Sequence, residues 1–205
     1  MQEQNMDSPE LVVDADPNGD VSLLIGDPSN ANTLRVCSRV LSLASPVFAA
    51  LFSPKYAEGV ALPSSTEVRQ IALPDDDPEA LILICHALHH QRITPHDVSF
   101  ELLGKTAVTC DKYDLVTVLA PWSALWMQQW KVRGYGSAYW SKMLCLSSIF
   151  GSHAMFYLSS EKLISACLPA ISPFDEDEEL STAGDSPNSL DQCVTTTSQV
   201  CEFYG

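Results

Sequence analysis

Few side chains in this chain have the type and spacing that chemistry needs. Ser45 stands in RVCSRVLSLASPVFAALFSPKYAEG (residues 35–59), between small apolar residues and ahead of a proline. A nucleophile elbow needs glycines at G-x-S-x-G, and here those places hold Leu43 and Val47. A serine oxygen followed by a residue with no amide is instead a helix start, so Ser45 reads as a cap. CHALHH, with His96 nearby, is the one local cluster of metal-ligand type. His86 and His90 fall one helical turn apart, but a zincin needs Glu after the first histidine and the chain has Ala87. On a helical wheel His90 lies opposite the apolar face, which makes the pair a solvated flank. Cys110 beside Asp111 suggests a thiol nucleophile, yet its place on a buried stripe would raise the thiol pKa and leave it inert. Asp75, Asp76 and Asp77 precede a helix, where capping and dipole compensation explain them better than a cation does. Neither G-x-G-x-x-G nor a Walker A loop occurs. No catalytic constellation is left, so the chain reads as a non-enzyme with no metal and no cofactor. A metal-dependent enzyme built on the histidines is the rival from a different class.

The elements that hold these residues begin with LVVDADPNGDVSLLIGD, two short strands around a turn at Asp16-Pro17-Asn18-Gly19. Val21, Leu23 and Ile25 share one face of the second strand. TLRVC is a third strand with Leu34 and Val36 inward, and RQIALPD a fourth. Between these last two, SRVLSLA and SPVFAALFS form a helical hairpin with apolar surface on more than one side, with Phe48 and Phe52 one turn apart. Asp77 caps a helix that starts at Pro78 and buries Leu81, Ile84, Cys85 and Leu88. A second helix from Ser99 buries Phe100, Leu103, Ala107 and Cys110. A third is expected from about Val116 to Trp130, kinked or restarted at Pro121. KVRGYGSAYW reads as a loop, followed by helices at about 141–150 and 153–166.

Composition sets the outer limits. The chain has 205 residues, 46% of them hydrophobic, enough for one ordinary domain and an appendage. Net charge is −15, split as −7 over residues 1–171 and −8 over 172–205, where eight acids stand without a base. A basic face for phosphate backbones is missing, so direct nucleic-acid binding is not expected. MQEQNMDSPE lacks the features of a secretory signal, and no window has the length of a membrane span. Seven cysteines with no CxxC pair suit reduced thiols in the cytoplasm or nucleus. The Ser-, Thr- and Asp-rich stretch 172–205 is expected to be a disordered acidic tail. DEDEEL followed by Ser186-Pro187 reads as a solvated terminus, with a phosphorylated docking segment as the alternative.

VLSLASPVFAALF, the acidic EG after it, IALPDDDPEA and the later DKYD before PW resemble, in that order, the BTB/POZ domain. More narrowly they are similar to the BTB proteins of filamentous fungi. The match runs from about Val13 to Trp130, and Cys37 stands where many relatives have histidine. The resemblance implies an α+β fold, a small β-sheet capped by a cluster of α-helices. The expected layout is a BTB/POZ domain at 11–120, a helical extension at 121–171 and the tail at 172–205. It also implies a protein-protein interaction module, commonly a homodimer, that catalyses nothing. Cullin adaptors of this family carry a hydrophobic-x-Glu motif after the hairpin, and Tyr56-Ala57-Glu58 matches it in type and place. Phe52, Tyr56 and Glu58 are therefore candidate partner-binding residues for a substrate adaptor of a cullin–RING ubiquitin ligase. A solvated loop is the plain alternative for them. Trp122, Trp126 and Trp130 make one stripe, read as core packing or a partner groove, with Trp126 the candidate contact. The rival function is an oligomerising or transcription-linked scaffold with no cullin partner. No zinc-finger, kelch or MATH-like segment is visible, so the extension is the only candidate to hold an unknown protein substrate.

Overall fold

The structure is a computed structural model and describes residues 12–53, 68–130 and 136–167. The chain divides into two compact units, Met1–Trp130 and Lys131–Gly205. In the first, alternating apolar residues build four strands: β1 (Val12–Asp14), β2 (Val21–Ile25), β3 (Asn32–Val36) and β4 (Arg69–Leu73). They form one mixed sheet in the order β1-β3-β2-β4. β2 pairs antiparallel with β3, while β1–β3 and β2–β4 are parallel. Register sets Leu23 opposite both Leu34 and Ile71, a fully or almost fully buried row across the sheet. Ile25 lies opposite Leu73 and Val21 opposite Val36, so the middle of this face is apolar, with Asn32 and Arg69 at its margins. Each such aliphatic side chain stabilises the fold by about 1.5–3 kcal/mol.

The turn expected after β1 is present. Asn18 N–H donates to Asp16 Oδ1 at 2.9 Å and Gly19 N–H to the Asp16 carbonyl at 2.9 Å. The strands it links do not pair, however, because β3 lies between them. Gly19 passes hard against β3: a Cβ there would sit 2.3 Å from the Val36 carbonyl oxygen.

Five helices of the first unit are described: α1 (Ser38–Ala44), α2 (Pro46–Leu51), α3 (Pro78–Leu88), α4 (Phe100–Lys112) and α5 (Ala120–Gln128). α3 starts as its sequence dictates, with Asp77 accepting from Ala80 N–H at 3.0 Å and Pro78 in the first turn. It packs on α1, α4 and β3, and this central position buries Ala80, Leu83 and Ala87 beside Leu81, Ile84 and Cys85. Leu88 is only half-buried. Ser99 caps α4 through Leu102 N–H at 3.0 Å, and Leu103, Ala107 and Cys110 are fully buried. Phe100 is half-buried and meets Trp130 edge-on at 5.6 Å.

α5 begins at Ala120, not near Val116; residues 116–119 are turns. Pro121 cannot donate to a preceding turn, so the helix can only begin around it. The boundary between the two units falls after Trp130, so α5 belongs to the first. In the second unit α6 (Ser137–Ile149) and α7 (His153–Cys167) pack on each other through a turn where Gly151 has φ 63°. α6 starts earlier than the glycine-bearing loop reading placed it, and Trp140 is buried within it. The acidic stretch 172–205 lies outside the described residues.

Candidate interaction surfaces

Ser45 joins α1 to α2 and is 1% exposed. Its hydroxyl oxygen accepts from Phe48 N–H at 3.0 Å, and its O–H donates to the Tyr113 carbonyl at 2.6 Å. Both capacities are spent on backbone, as the cap reading requires. Phe48, fully buried, stacks on Tyr113 at 4.3 Å and on Phe52 at 5.7 Å. Tyr113 O–H donates to Asp76 Oδ2 at 2.7 Å, while Lys112 Nζ donates to Asp76 Oδ1 at 2.8 Å. Burial first, then the hydrogen bond to Asp76, push the Tyr113 phenol far above its ordinary range. The acidic run therefore splits: Asp77 caps, whereas Asp76 is a buried acceptor that ties the β4–α3 link to the end of α4. Capping was expected of the whole run, and for Asp76 the structure corrects it.

The N-terminus of α1 is satisfied from afar. Cys37 provides no side-chain cap. Asp20 Oδ1 accepts from Ser38 N–H at 2.7 Å, and His89 Nε2 accepts from Cys37 N–H at 3.0 Å. His89 Nδ1 lies 2.8 Å from the Cys85 carbonyl, so that nitrogen carries the proton. Both His89 ring nitrogens are engaged and neither is free for a metal. His90 follows the end of α3 with φ 57° and is exposed, so the one-turn pairing with His86 does not hold. Burial, and then His89, lower the His86 pKa. Among the described residues no group of three His, Cys, Asp or Glu side chains could hold a metal ion. Burial pushes the Cys85 and Cys110 thiols up to about 12.

Two apolar grooves flank the hairpin and share no lining residue. The first, about 650 Å³, runs along α1 and is lined by Val40, Leu43, Ala15, Leu88, Val118 and Trp122. Leu43 is 78% exposed at its rim. The second, about 420 Å³, lies between α2 and β4, with Val47, Ala50, Leu51, Ala72, Pro74 and Tyr113 in its walls. Phe52, half-exposed at the end of α2, lies under the Arg69 guanidinium at 5.4 Å.

Of the residues singled out for partner binding, Phe52 has a surface to offer. Tyr56 and Glu58 lie outside the described residues. Trp126 is fully buried, stacked on Trp122 at 6.1 Å, and has no surface for a partner. The tryptophan stripe turns inward at Trp126, and Trp122 is the one that reaches a groove. Leu43 was missed, although a helix as short as SRVLSLA cannot bury Leu41 and Leu43 together.

The described residues of the first unit thus form a small mixed sheet capped by helices, with two apolar grooves beside the hairpin and a buried polar network. The BTB/POZ domain family model matches residues 15–120, and the chain belongs to that family. Among the curated proteins, none matches the chain.

Proposed function

We propose that the chain is a two-faced adaptor. Its α1 groove takes a second copy, and its α2–Phe52 side takes a cullin scaffold, as in a cullin–RING ubiquitin ligase. The observation that carries this reading is the pair of grooves beside the two helices of one hairpin, one of them edged by Leu43 at 78% exposure. A leucine so exposed beside further apolar side chains loses that water contact when a like surface covers it. Phe52 marks the other side, with Tyr56-Ala57-Glu58 following in the sequence. The second unit would hold the protein substrate. The unpaired thiols of Cys37, Cys85 and Cys110 support a cytoplasmic or nuclear home. The likeness of its motifs to fungal BTB proteins supports such an origin.

Two measurements on the full chain test the two faces separately. Sedimentation equilibrium should find a dimer, and Leu43→Glu should leave a folded monomer because a buried unpaired carboxylate is costly. A monomeric wild type would overturn the first face. Calorimetry against the N-terminal region of a cullin should give micromolar or tighter binding, lost in Tyr56→Ala with Glu58→Ala. A folded chain that does not bind leaves an oligomerising scaffold with other partners.

A further inference from the structure

Among the described residues, the outer edge of β4 has no strand paired to it, since β4 is last in the order β1-β3-β2-β4. Its polarity is set by the β2 ladder. Arg69 N–H donates to the Asp20 carbonyl at 3.3 Å, and the Leu73 carbonyl accepts from Gly26 N–H at 3.0 Å. Peptide groups of Arg69, Ile71 and Leu73 thus turn toward β2, and alternation turns those of Gln70 and Ala72 outward. Both residues are exposed. Each presents one donor and one acceptor, two residues apart, which is the repeat an extended chain matches.

The space beside this edge suits the same ligand. Across the second groove from Ala72 stands α2, and Ala50 and Ala72 reach into it with nothing larger than a methyl group. Asp75, exposed just past the strand, adds negative charge at that end. Its neighbour Asp76 is already paired with Lys112.

We propose that the β4 edge docks an extended peptide segment of a partner protein, which adds as a further strand between β4 and α2. Alternate apolar side chains of that segment fill the groove, and a basic residue at one end faces Asp75. The edge needs only the folded first unit, but its groove is the one on the α2 side, so a bound segment and the cullin scaffold compete for it.

The test uses the full chain against a phage-displayed library of random strand-length peptides. Enriched peptides are then synthesised and titrated onto the ¹⁵N-labelled chain. We expect alternating apolar residues with a terminal Lys or Arg, and slowed hydrogen exchange at the Gln70 and Ala72 amides. Ala72→Pro deletes the outward N–H but no ladder bond to β2, a placement that edge strands tolerate. It should weaken binding about tenfold or more without changing the unfolding transition. Ala50→Trp, on the opposite exposed wall, should do the same if the proline variant folds poorly. No enrichment on a folded chain, equal binding to both variants, or protection at other amides would overturn the proposal. Peptide and cullin are titrated separately, so failure of this proposal is distinguishable from failure of the cullin reading.

Discussion

At the scale of single residues, Ser45 does two jobs with one oxygen. Ser45→Ala is expected to remove the α2 cap, worth about 1 kcal/mol. It also strands the buried Tyr113 carbonyl at about 1–3 kcal/mol more. Urea unfolding should therefore report a loss of about 2 kcal/mol or more. Ser45 and Asp77 were legible as caps because each accepts from an amide three residues on, and Ser99, read only as a helix start, caps in the same way. Cys37 with His89 and Asp76 with Tyr113 were not, since those pairs span 52 and 37 residues. No local pattern announces an imidazole that reaches a distant backbone amide. Trp126 failed for a related reason. Four-residue spacing shows that tryptophans share a stripe, and only packing decides which one lies inside.

Among elements, the sheet depends on the passage of the β1–β2 turn over β3. Gly19→Ala would force a methyl group to within 2.3 Å of the Val36 carbonyl oxygen. The backbone on both sides must then shift, at about 3 kcal/mol or more. Gly136→Ala is the control: it has φ −73° and nothing within 4 Å of the added carbon. Thermal unfolding should separate the two, with the Gly136 variant within about 0.5 kcal/mol of wild type. Period-two alternation identified the buried faces of β2 and β3 correctly. It could not say that β3 would come between β1 and β2, because neighbour choice rests on contacts far apart in sequence. The late start of α5 was within reach of Pro121 alone, which permits a restart as readily as a kink.

For the molecule as a whole, the buried thiols link stability to alkaline pH. Cys85 and Cys110 are held neutral up to about 12 when folded, against an ordinary value of 9.0. Between those limits the unfolded chain gives up thiol protons that the folded chain keeps. Unfolding is then favoured as pH rises, so this contribution is complete below pH 9 and is lost toward 12. Denaturant midpoints should fall across that window, and a Cys85→Ala, Cys110→Ala double variant should show a shallower fall. The helical cluster over a small sheet, and membership of the family, were readable from separated motifs in order. The grooves were not, since each is lined by residues from segments far apart in the sequence.

The Ser45–Tyr113 bond crosses 68 residues. During synthesis the hairpin leaves the ribosome with the Ser45 cap of α2 in reach but with neither the carbonyl that anchors Ser45 nor the ring that covers Phe48. Both arrive only when the end of α4 emerges. Until then Phe48, Leu41 and Leu43 are apolar surface on a short helix pair too small to persist alone. The nascent chain thus passes through an interval in which its stickiest segment is out and unsheltered, a natural client for a chaperone.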